Sequence, residues 1–323
     1  MVIYNGGIMN ILSLFDGISC GMVALKRAGI EVDNYYSSEI ENSAITISNN
    51  NYPEIIRLGD VTKINKNVLS TLPKIDLILS GSPCTGFSRN GKMLNFEDPQ
   101  SKLFFDFIRI LTWIKNNNNK DVKFLLENVE MKKDWQDTIT EFVGVEPIPI
   151  NSKLVSAQNR PRIYWSNIDN ITKPNDKNIL LKNILSEVDI SNFINHQGLF
   201  VDNTFNEREL SLINVVNGEV RINQATKQGY IVANDGDGVN LSFPTSKTRR
   251  GRVINQKSNT LDKSCNICVY YDNVLRRLTI DELERLQTIP VGYTDGVPES
   301  KRRAAIGNGW TIDVISHILK GLK

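Results

Sequence analysis

Short apolar segments alternate with amphipathic ones from residue 10 to about residue 165, and this alternation constrains the fold more than any other feature. Such a pattern is typical of a parallel sheet that helices cover on both faces. We therefore predict an α/β domain with a doubly wound, mostly parallel sheet in residues 1–168. The predicted strands are Ile11 to Phe15, Tyr35 to Ser38, Ile75 to Leu79, Phe124 to Leu126 and Ile163 to Trp165, and helices are predicted to begin near Cys20, Glu41 and Ser101.

The sequence pattern changes after residue 168. Helical periodicity fades, and turns rich in Gly, Asn and Ser separate short β-like segments, which predicts a smaller, mostly β domain in residues 169–271. Its one dense basic cluster, Ser246 to Arg252, suits either phosphate contacts or a solvated turn. Helical signals return at Thr279, which begins a capping box with Glu282. Residues 272–323 are therefore predicted to return to the first domain, with a last helix from Thr311.

Composition says little about the partner. The chain of 323 residues has a net charge of +2, which is too small to indicate nucleic acid by itself. No apolar run approaches the roughly 20 residues that a membrane span needs, and the first ten residues lack the pattern of a secretory signal. We expect a cytoplasmic protein.

The chain has four cysteines, which are expected to be reduced in a protein of this kind: Cys20, Cys84, Cys265 and Cys268. Cys265 and Cys268 have the spacing of half a zinc site or of a redox motif. However, no second pair exists, and the two histidines, His196 and His317, are distant in sequence. We predict two packed thiols in a strand and no metal site.

Three features at predicted strand ends favour a nucleoside-bearing cofactor. The segment Phe15-Asp16-Gly17-Ile18-Ser19 leaves the first strand in a glycine-containing turn that enters a helix, where the backbone can approach a ligand. Glu39 ends the next strand and can accept hydrogen bonds from ribose hydroxyls, and Asp60 lies at the corresponding edge one unit later. The turn alone is as often structural as functional, and each acid alone is more often a solvated loop carboxylate or a helix cap. The three in order favour the cofactor.

A cysteine and three charged residues suggest the chemistry. Cys84, in Gly81-Ser82-Pro83-Cys84, follows a predicted strand, which would place it at the carboxyl edge where α/β proteins bind ligands. A lone cysteine is more often a buried structural residue. Residues 85–102 are long enough for a lid, Glu127 ends another strand, and Arg160 and Arg162 share one face of an extended segment. Together they favour Cys84 as a nucleophile.

These motifs resemble those of the cytosine-C5 DNA methyltransferase family. The resemblance rests on Phe15-Asp16-Gly17, Pro83-Cys84, Glu127-Asn128-Val129, Gln158-x-Arg160-x-Arg162 and Gly307-Asn308-Gly309-Trp310-Thr311, in the family's order. It covers most of the chain outside residues 170–270. The motif sequences are most similar to those of the de novo class of DNA methyltransferases. It implies the Rossmann-like fold of class I S-adenosylmethionine-dependent methyltransferases, with a target-recognition domain in the unmatched region.

The resemblance also implies covalent catalysis on a cytosine that is flipped out of duplex DNA. Cys84 would attack C6, Glu127 would hydrogen-bond N3 and the exocyclic amine, Arg162 would hold O2, and Arg160 would complete the catalytic set. The implied cofactor is S-adenosylmethionine, with S-adenosylhomocysteine as product, in a pocket formed by Phe15, Asp16, Gly17, Ile18, Ser19, Glu39, Ile40, Asp60, Val61, Leu103, Asn308, Gly309 and Trp310. The implied substrate-binding residues are Ser82, Pro83, Ser88, Asn128, Gln158, Arg249 and Arg250.

Three other interpretations stay open at this point: the same chemistry on RNA, a catalytically silent DNA-binding paralogue, and a nicotinamide-dependent oxidoreductase. The presence of Cys84, Glu127, Arg160 and Arg162 together argues against a silent protein, and the glycine fingerprint of the oxidoreductases is missing. We expect double-stranded DNA as the partner, in a bacterial or phage-infected cell, with a cognate restriction endonuclease as a further candidate. The DNA recognition sequence cannot be read from residues 170–270.

Overall fold

The computed structural model describes residues 8–82 and 99–323. The strands of the first domain are β1 (Met9–Leu14), β2 (Val32–Ser38), β3 (Ile56–Arg57), β4 (Leu77–Ser80), β5 (Lys123–Val129), β6 (Ile148–Asn151) and β7 (Pro161–Ser166). They form one sheet in the order β3-β2-β1-β4-β5-β7-β6, in which β7 runs antiparallel to both neighbours and the other pairs are parallel. The predicted mostly parallel sheet is confirmed.

The helices of the described residues are α1 (Cys20–Ala28), α2 (Asn42–Asn51), α3 (Lys66–Ser70), α4 (Pro99–Asn117), α5 (Lys133–Val143), α6 (Glu207–Leu210), α7 (Ile280–Leu286), α8 (Glu299–Asn308) and α9 (Ile312–Leu319). The predicted helix starts near Cys20, Glu41 and Ser101 agree with α1, α2 and α4 to within two residues. The predicted capping box is present, since Thr279 Oγ1 accepts from the backbone N–H of Glu282 and Glu282 accepts in return.

Two apolar cores lie on the two faces of the sheet because successive residues of a strand point to opposite sides. Ile11 packs in one core with residues of α1, α2, α7 and α9, and Leu12 packs in the other with residues of α3, α4 and α5. The strand order reverses at β1, whose neighbours are β2 and β4. A crevice at the carboxyl ends of β1 and β4 is the expected ligand site of such a sheet.

The second domain is mostly β, as predicted. Its strands are β8 (Ile194–His196), β9 (Leu199–Val201), β10 (Ile213–Val216), β11 (Glu219–Asn223), β12 (Tyr230–Ala233), β13 (Asp237–Asn240), β14 (Arg252–Ile254), β15 (Ile267–Tyr271) and β16 (Val274–Arg277). They form a three-stranded sheet, β10-β11-β12, and a six-stranded sheet, β14-β13-β15-β16-β9-β8. A third core joins the two sheets. Since β16 pairs with β15, the six-stranded sheet of the second domain extends beyond residue 271, where this domain was predicted to end.

The two closely spaced cysteines lie in different cores. Cys268 is in β15 and packs in the core of the second domain. Cys265 lies in the turn before this strand and packs in a core of the first domain, so the prediction that both thiols lie in a strand is wrong for Cys265. Both thiols are free and fully buried. In the described ranges no three His, Cys, Asp or Glu side chains are grouped to hold a metal ion. No helix in those ranges is long and apolar enough to cross a membrane.

Candidate active site

A buried carboxylate organises the loop that leaves β1. Asp16 Oδ1 accepts hydrogen bonds from the hydroxyls of Ser13 (2.6 Å) and Tyr35 (2.7 Å), and Oδ2 accepts from those of Ser19 (2.5 Å) and Ser37 (2.8 Å). The Asp16 side chain is 1% exposed, and this burial raises its pKa, whereas the four hydroxyl donors act in the opposite direction. The side chain therefore shapes the loop from inside and leaves the loop backbone at the sheet edge.

The backbone of this loop is unusual in its dihedral angles. Phe15, Gly17 and Ser19 all have positive φ, at 57°, 59° and 58°. Residues other than glycine rarely adopt this conformation, and such strain is concentrated at ligand sites. Left-handed residues between ordinary ones turn successive N–H groups toward one side, which suits acceptor groups of a ligand.

Two acidic residues follow the next strands at the same edge. Glu39 accepts from the backbone N–H of Gly17 at 2.7 Å and from that of Ile40 at 2.8 Å, so it ties the end of β2 to the β1 loop. Asp60 accepts from the backbone and hydroxyl of Thr62, and these bonds lower its pKa. Ile40 is 70% exposed, which leaves an apolar side chain in solvent directly beside the Glu39 carboxylate.

The end of β4 is covered by the C-terminal segment. A Cβ atom built on Gly81 would lie 2.9 Å from Nε1 of Trp310, so only glycine lets the indole pack this closely. Ser82 is 5% exposed, and its hydroxyl accepts from the amide of Asn128 at 3.4 Å. The predicted site residues Pro83, Cys84 and Ser88 lie outside the described residues.

An ion pair joins β5 to β7. Glu127 faces Tyr164 in the antiparallel register, and this places Arg162 two residues away on the same face of the sheet. Arg162 Nε lies 2.9 Å from Glu127 Oε1, and the two side chains are 12% and 13% exposed. Burial raises the pKa of the adjacent Tyr164. The structure thus brings together two residues that the sequence separates, in a largely desolvated position.

Arg160 has a different set of partners from Arg162. Its guanidinium donates to the backbone carbonyls of Leu261 (3.0 Å), Gly307 (3.2 Å) and Gly309 (3.0 Å), and the residue is 4% exposed. Burial, followed by the charge of Arg162, lowers the pKa of Arg160 to about 9. These contacts hold the segment that precedes Trp310 against the sheet edge.

Gln158 is fully buried and belongs to the same hydrogen-bonded network as Arg160, since both contact the backbone of Leu261. Its amide donates to the side chain of Gln287 at 3.1 Å and accepts from the backbone N–H of Leu261 at 3.0 Å. Gln287 in turn donates to the carbonyl of Gly309 at 3.0 Å and accepts from the hydroxyl of Thr311 at 2.8 Å. Sequence reasoning gave Gln287 no role, since its partners are 19 or more residues away along the chain.

The remaining predicted residues are distributed around this edge and in the second domain. Ile18 and Val61 are buried, Leu103 is half-buried against the core that contains α4, and Asn308 is exposed at the end of α8. Arg249 and Arg250 lie in the second domain, between β13 and β14. Of the predicted residues that the structure describes, those after β1, β2 and β4 lie at one sheet edge, whereas Arg249 and Arg250 belong to the second domain.

Gln287→Leu is expected to destabilise the protein by about 1–3 kcal/mol, because it leaves the Gly309 carbonyl and the amide of Gln158 without this partner in a buried position. Urea unfolding followed by circular dichroism measures the effect. The matched control is Gln228→Leu at an exposed position, which should change the free energy of unfolding by less than about 0.5 kcal/mol. Equal changes in the free energy of unfolding for the two substitutions would show that the hydrogen-bonded network around Gln287 does not stabilise the protein.

Comparison with known proteins finds one family profile that matches nearly the whole chain and relatives that match about half of it. A profile of the family described as C-5 cytosine-specific DNA methylase matches residues 9–323. The chain is 32% identical over 203 residues to the Type II methyltransferase M.NgoBV of Neisseria gonorrhoeae, covering 55% of this chain and 45% of the relative. It is 34% identical over 169 residues to the orphan methyltransferase M.Rho11sI of Bacillus phage rho11s, covering 48% and 32%. These matches span less than half the length of either relative.

Solved structures show the same fold across nearly the whole chain. The Entamoeba histolytica methyltransferase EhMeth superimposes with a TM-score of 0.67 at 17% identity, covering 98% of each chain. A mutant of DNMT2 from Spodoptera frugiperda superimposes with a TM-score of 0.60 at 18% identity, covering 97% of this chain and 99% of that one. At these identities the likeness shows a shared architecture of sheet and second domain.

Proposed function

Because this chain belongs to the C-5 cytosine-specific DNA methylase family, we propose that it transfers a methyl group from S-adenosylmethionine to C5 of a cytosine in duplex DNA. The observation that carries the proposal is the ion pair between Glu127 and Arg162, which lies at the carboxyl ends of the paired strands β4 and β5. Cys84 follows β4 by four residues in the sequence, and its place at this edge is part of the proposal.

The residues at the β1 and β2 ends fit the proposed methyl donor. The left-handed loop from Phe15 to Ser19 offers backbone donors, Glu39 offers a carboxylate for ribose hydroxyls, and the exposed Ile40 beside it offers an apolar surface for a base. Asp60 and Trp310 complete the proposed pocket. When bound, S-adenosylmethionine supplies the electrophilic methyl group that C5 takes up, and S-adenosylhomocysteine remains.

The roles of the protein residues follow from the chemistry of the ring. Attack of the Cys84 thiolate on C6 forms a C–S bond and makes C5 nucleophilic, and loss of the C5 proton after methylation expels the thiolate. Glu127 hydrogen-bonds N3 and the exocyclic amine of the flipped base, and Arg162, already held by Glu127, donates to O2. Arg160, whose N–H groups serve three carbonyls, acts in this proposal by positioning.

Methyl transfer from labelled S-adenosylmethionine tests this function directly. The protein is incubated with duplex DNA of mixed sequence, and in parallel with total transfer RNA, and label is counted in each nucleic acid. We expect label in DNA as 5-methylcytosine. Label in RNA alone would establish the rival substrate, and no label in either would refute the proposal.

Thiol titration tests the distinction between Cys84 and the other three cysteines. Burial raises the pKa of Cys20, Cys265 and Cys268 to about 12 each, so at pH 8 only about one in ten thousand of each is the reactive thiolate. We expect a chromogenic disulfide reagent to detect one thiol in the native protein and four after denaturation. In Cys84→Ala the native signal should vanish. A native signal that survives this substitution would contradict the assignment.

A further inference from the structure

The chain from β13 to the residues just after β14 carries a concentrated positive charge. From Gly238 to Leu261 the chain has no acidic residue and five basic ones, whereas the whole chain has a net charge of +2. One of the five, Lys257, donates to three backbone carbonyls of the protein. The other four, Lys247, Arg249, Arg250 and Arg252, form no ion pair with any residue that the structure describes.

One of these arginines is stacked on a strained aromatic residue. The guanidinium carbon of Arg249 lies 4.3 Å from the centroid of the Phe243 ring. Phe243 is 50% exposed and has a positive φ of 59°, which is an outlier for a bulky residue. An exposed apolar ring in such a backbone conformation is the kind of strain that functional sites retain. Stacking orients the guanidinium plane and leaves its edge donors available.

Hydrogen bonds within the loop between β13 and β14 fix the turn that carries Arg249. Ser246 Oγ accepts from the backbone N–H of Arg249 at 3.0 Å, and the carbonyl of Ser246 accepts from the side chain of Arg250 at 3.2 Å. Gly251 has a φ of 55°, and a Cβ atom there would lie 1.9 Å from the carbonyl oxygen of Asn223. Arg250 thus supports the loop internally, and Arg249 is the arginine that the loop presents.

The same segment leads directly to the candidate active site. After β14, the backbone N–H of Ser258 donates to Ala157 at 2.7 Å, and the backbone N–H of Asn159 donates to Ser258 at 2.9 Å. These bonds pair the segment with the residues that precede Arg160 and Arg162. A nucleic acid that binds the loop would therefore contact a segment that hydrogen-bonds to the residues just before Arg160 and Arg162.

We propose that Arg249, held on Phe243, reads a guanine in the major groove next to the target cytosine, with Lys247 and Arg252 contacting phosphates. This inference rests on the proposed function. The guanidinium fork matches O6 and N7 of guanine, and this pairing is the commonest specific contact of arginine with DNA. Two exposed cations beside it suit the sequence-independent part of binding.

Binding selection from a duplex library tests the assignment. The library contains one cytosine flanked by randomised positions, S-adenosylhomocysteine is present, and bound duplexes are sequenced. We expect Arg249→Lys, which keeps the charge but removes the fork, to reduce the preference for guanine at one position by about 5- to 100-fold. Phe243→Leu should reduce the same preference to a smaller extent. The matched control, Lys247→Ala, should weaken binding to all sequences equally and lower the salt slope by about 1.

This experiment distinguishes a failure of the guanine contact from a failure of the proposed function. Preference is read from bound DNA, so loss of methyl transfer would refute the proposed function without removing this readout. An unchanged sequence preference in Arg249→Lys, or a wild-type protein without guanine preference, would overturn the inference. Melting temperatures of the variants within a degree or two of wild type exclude misfolding as the cause.

Discussion

Cys84→Ser is expected to abolish methyl transfer to duplex DNA, with a loss of about 10⁴-fold or more in the single-turnover rate. A serine hydroxyl at neutral pH is far less ionised than a thiol, so the attack on C6 that makes C5 nucleophilic is lost. The rate is measured from the incorporation of labelled methyl groups into a duplex of known methylated sequence. No other thiol can replace Cys84, because the other three are buried.

Trapping with 5-fluorocytosine separates a chemical defect from a binding defect. Fluorine at C5 cannot leave as a proton does, so wild-type protein should form a DNA adduct that survives denaturation, and Cys84→Ser should not. The variant should keep its affinity for S-adenosylhomocysteine and its melting temperature. Methyl transfer by Cys84→Ser at the wild-type rate would eliminate the covalent mechanism.

Glu127→Gln is expected to lower the single-turnover rate by about 10²- to 10⁴-fold, the range of a positioned acid–base group. Glutamine has nearly the same shape, but it cannot carry the proton or the charge that the ring requires as it becomes an enamine. The substitution also removes the charge partner of Arg162, which is 12% exposed, and so loosens the donor proposed for O2.

A neighbouring acid provides the control for this second prediction. Glu130 lies just beyond β5, is exposed and forms no ion pair with a described residue, so Glu130→Gln should leave the rate unchanged. Affinity for S-adenosylhomocysteine should be the same in both variants, because neither residue is placed in its pocket. If Glu127→Gln kept the wild-type rate but lost affinity for DNA, Glu127 would be a binding residue and the catalytic assignment would be wrong.

Sequence periodicity predicted the central strands well because each is a short apolar run between turns. Leu77, Ile78 and Leu79 of β4, for example, are fully buried on both faces of the sheet. A short continuous apolar run of this kind is typical of a parallel strand that is covered on both faces. Two elements were missed at the far edge, β6 and α5. The helix α5 has only Ile139 and Val143 buried, so its apolar face is narrow and its sequence is mostly polar.

Side-chain partners could not be predicted in the same way. The pair of Glu127 and Arg162 depends on the antiparallel register of β5 and β7, which no local pattern encodes. Asp16 was predicted correctly to lie at the end of β1, but the four hydroxyls around its carboxylate come from three separate segments. Its fully enclosed side chain is a property of tertiary packing. The cofactor, catalytic and substrate assignments of individual residues stay predictions until the variants are measured.

The helix α9 has a consequence for how this protein is made. It packs against α1, and Arg27 of α1 forms an ion pair with Asp313 of α9, although 286 residues separate the two in the sequence. At about 5–20 residues per second, a ribosome needs roughly 15–60 s to travel from one helix to the other. During that interval the apolar face of α1 has no α9 to cover it. A chaperone that binds nascent apolar segments has its longest opportunity there.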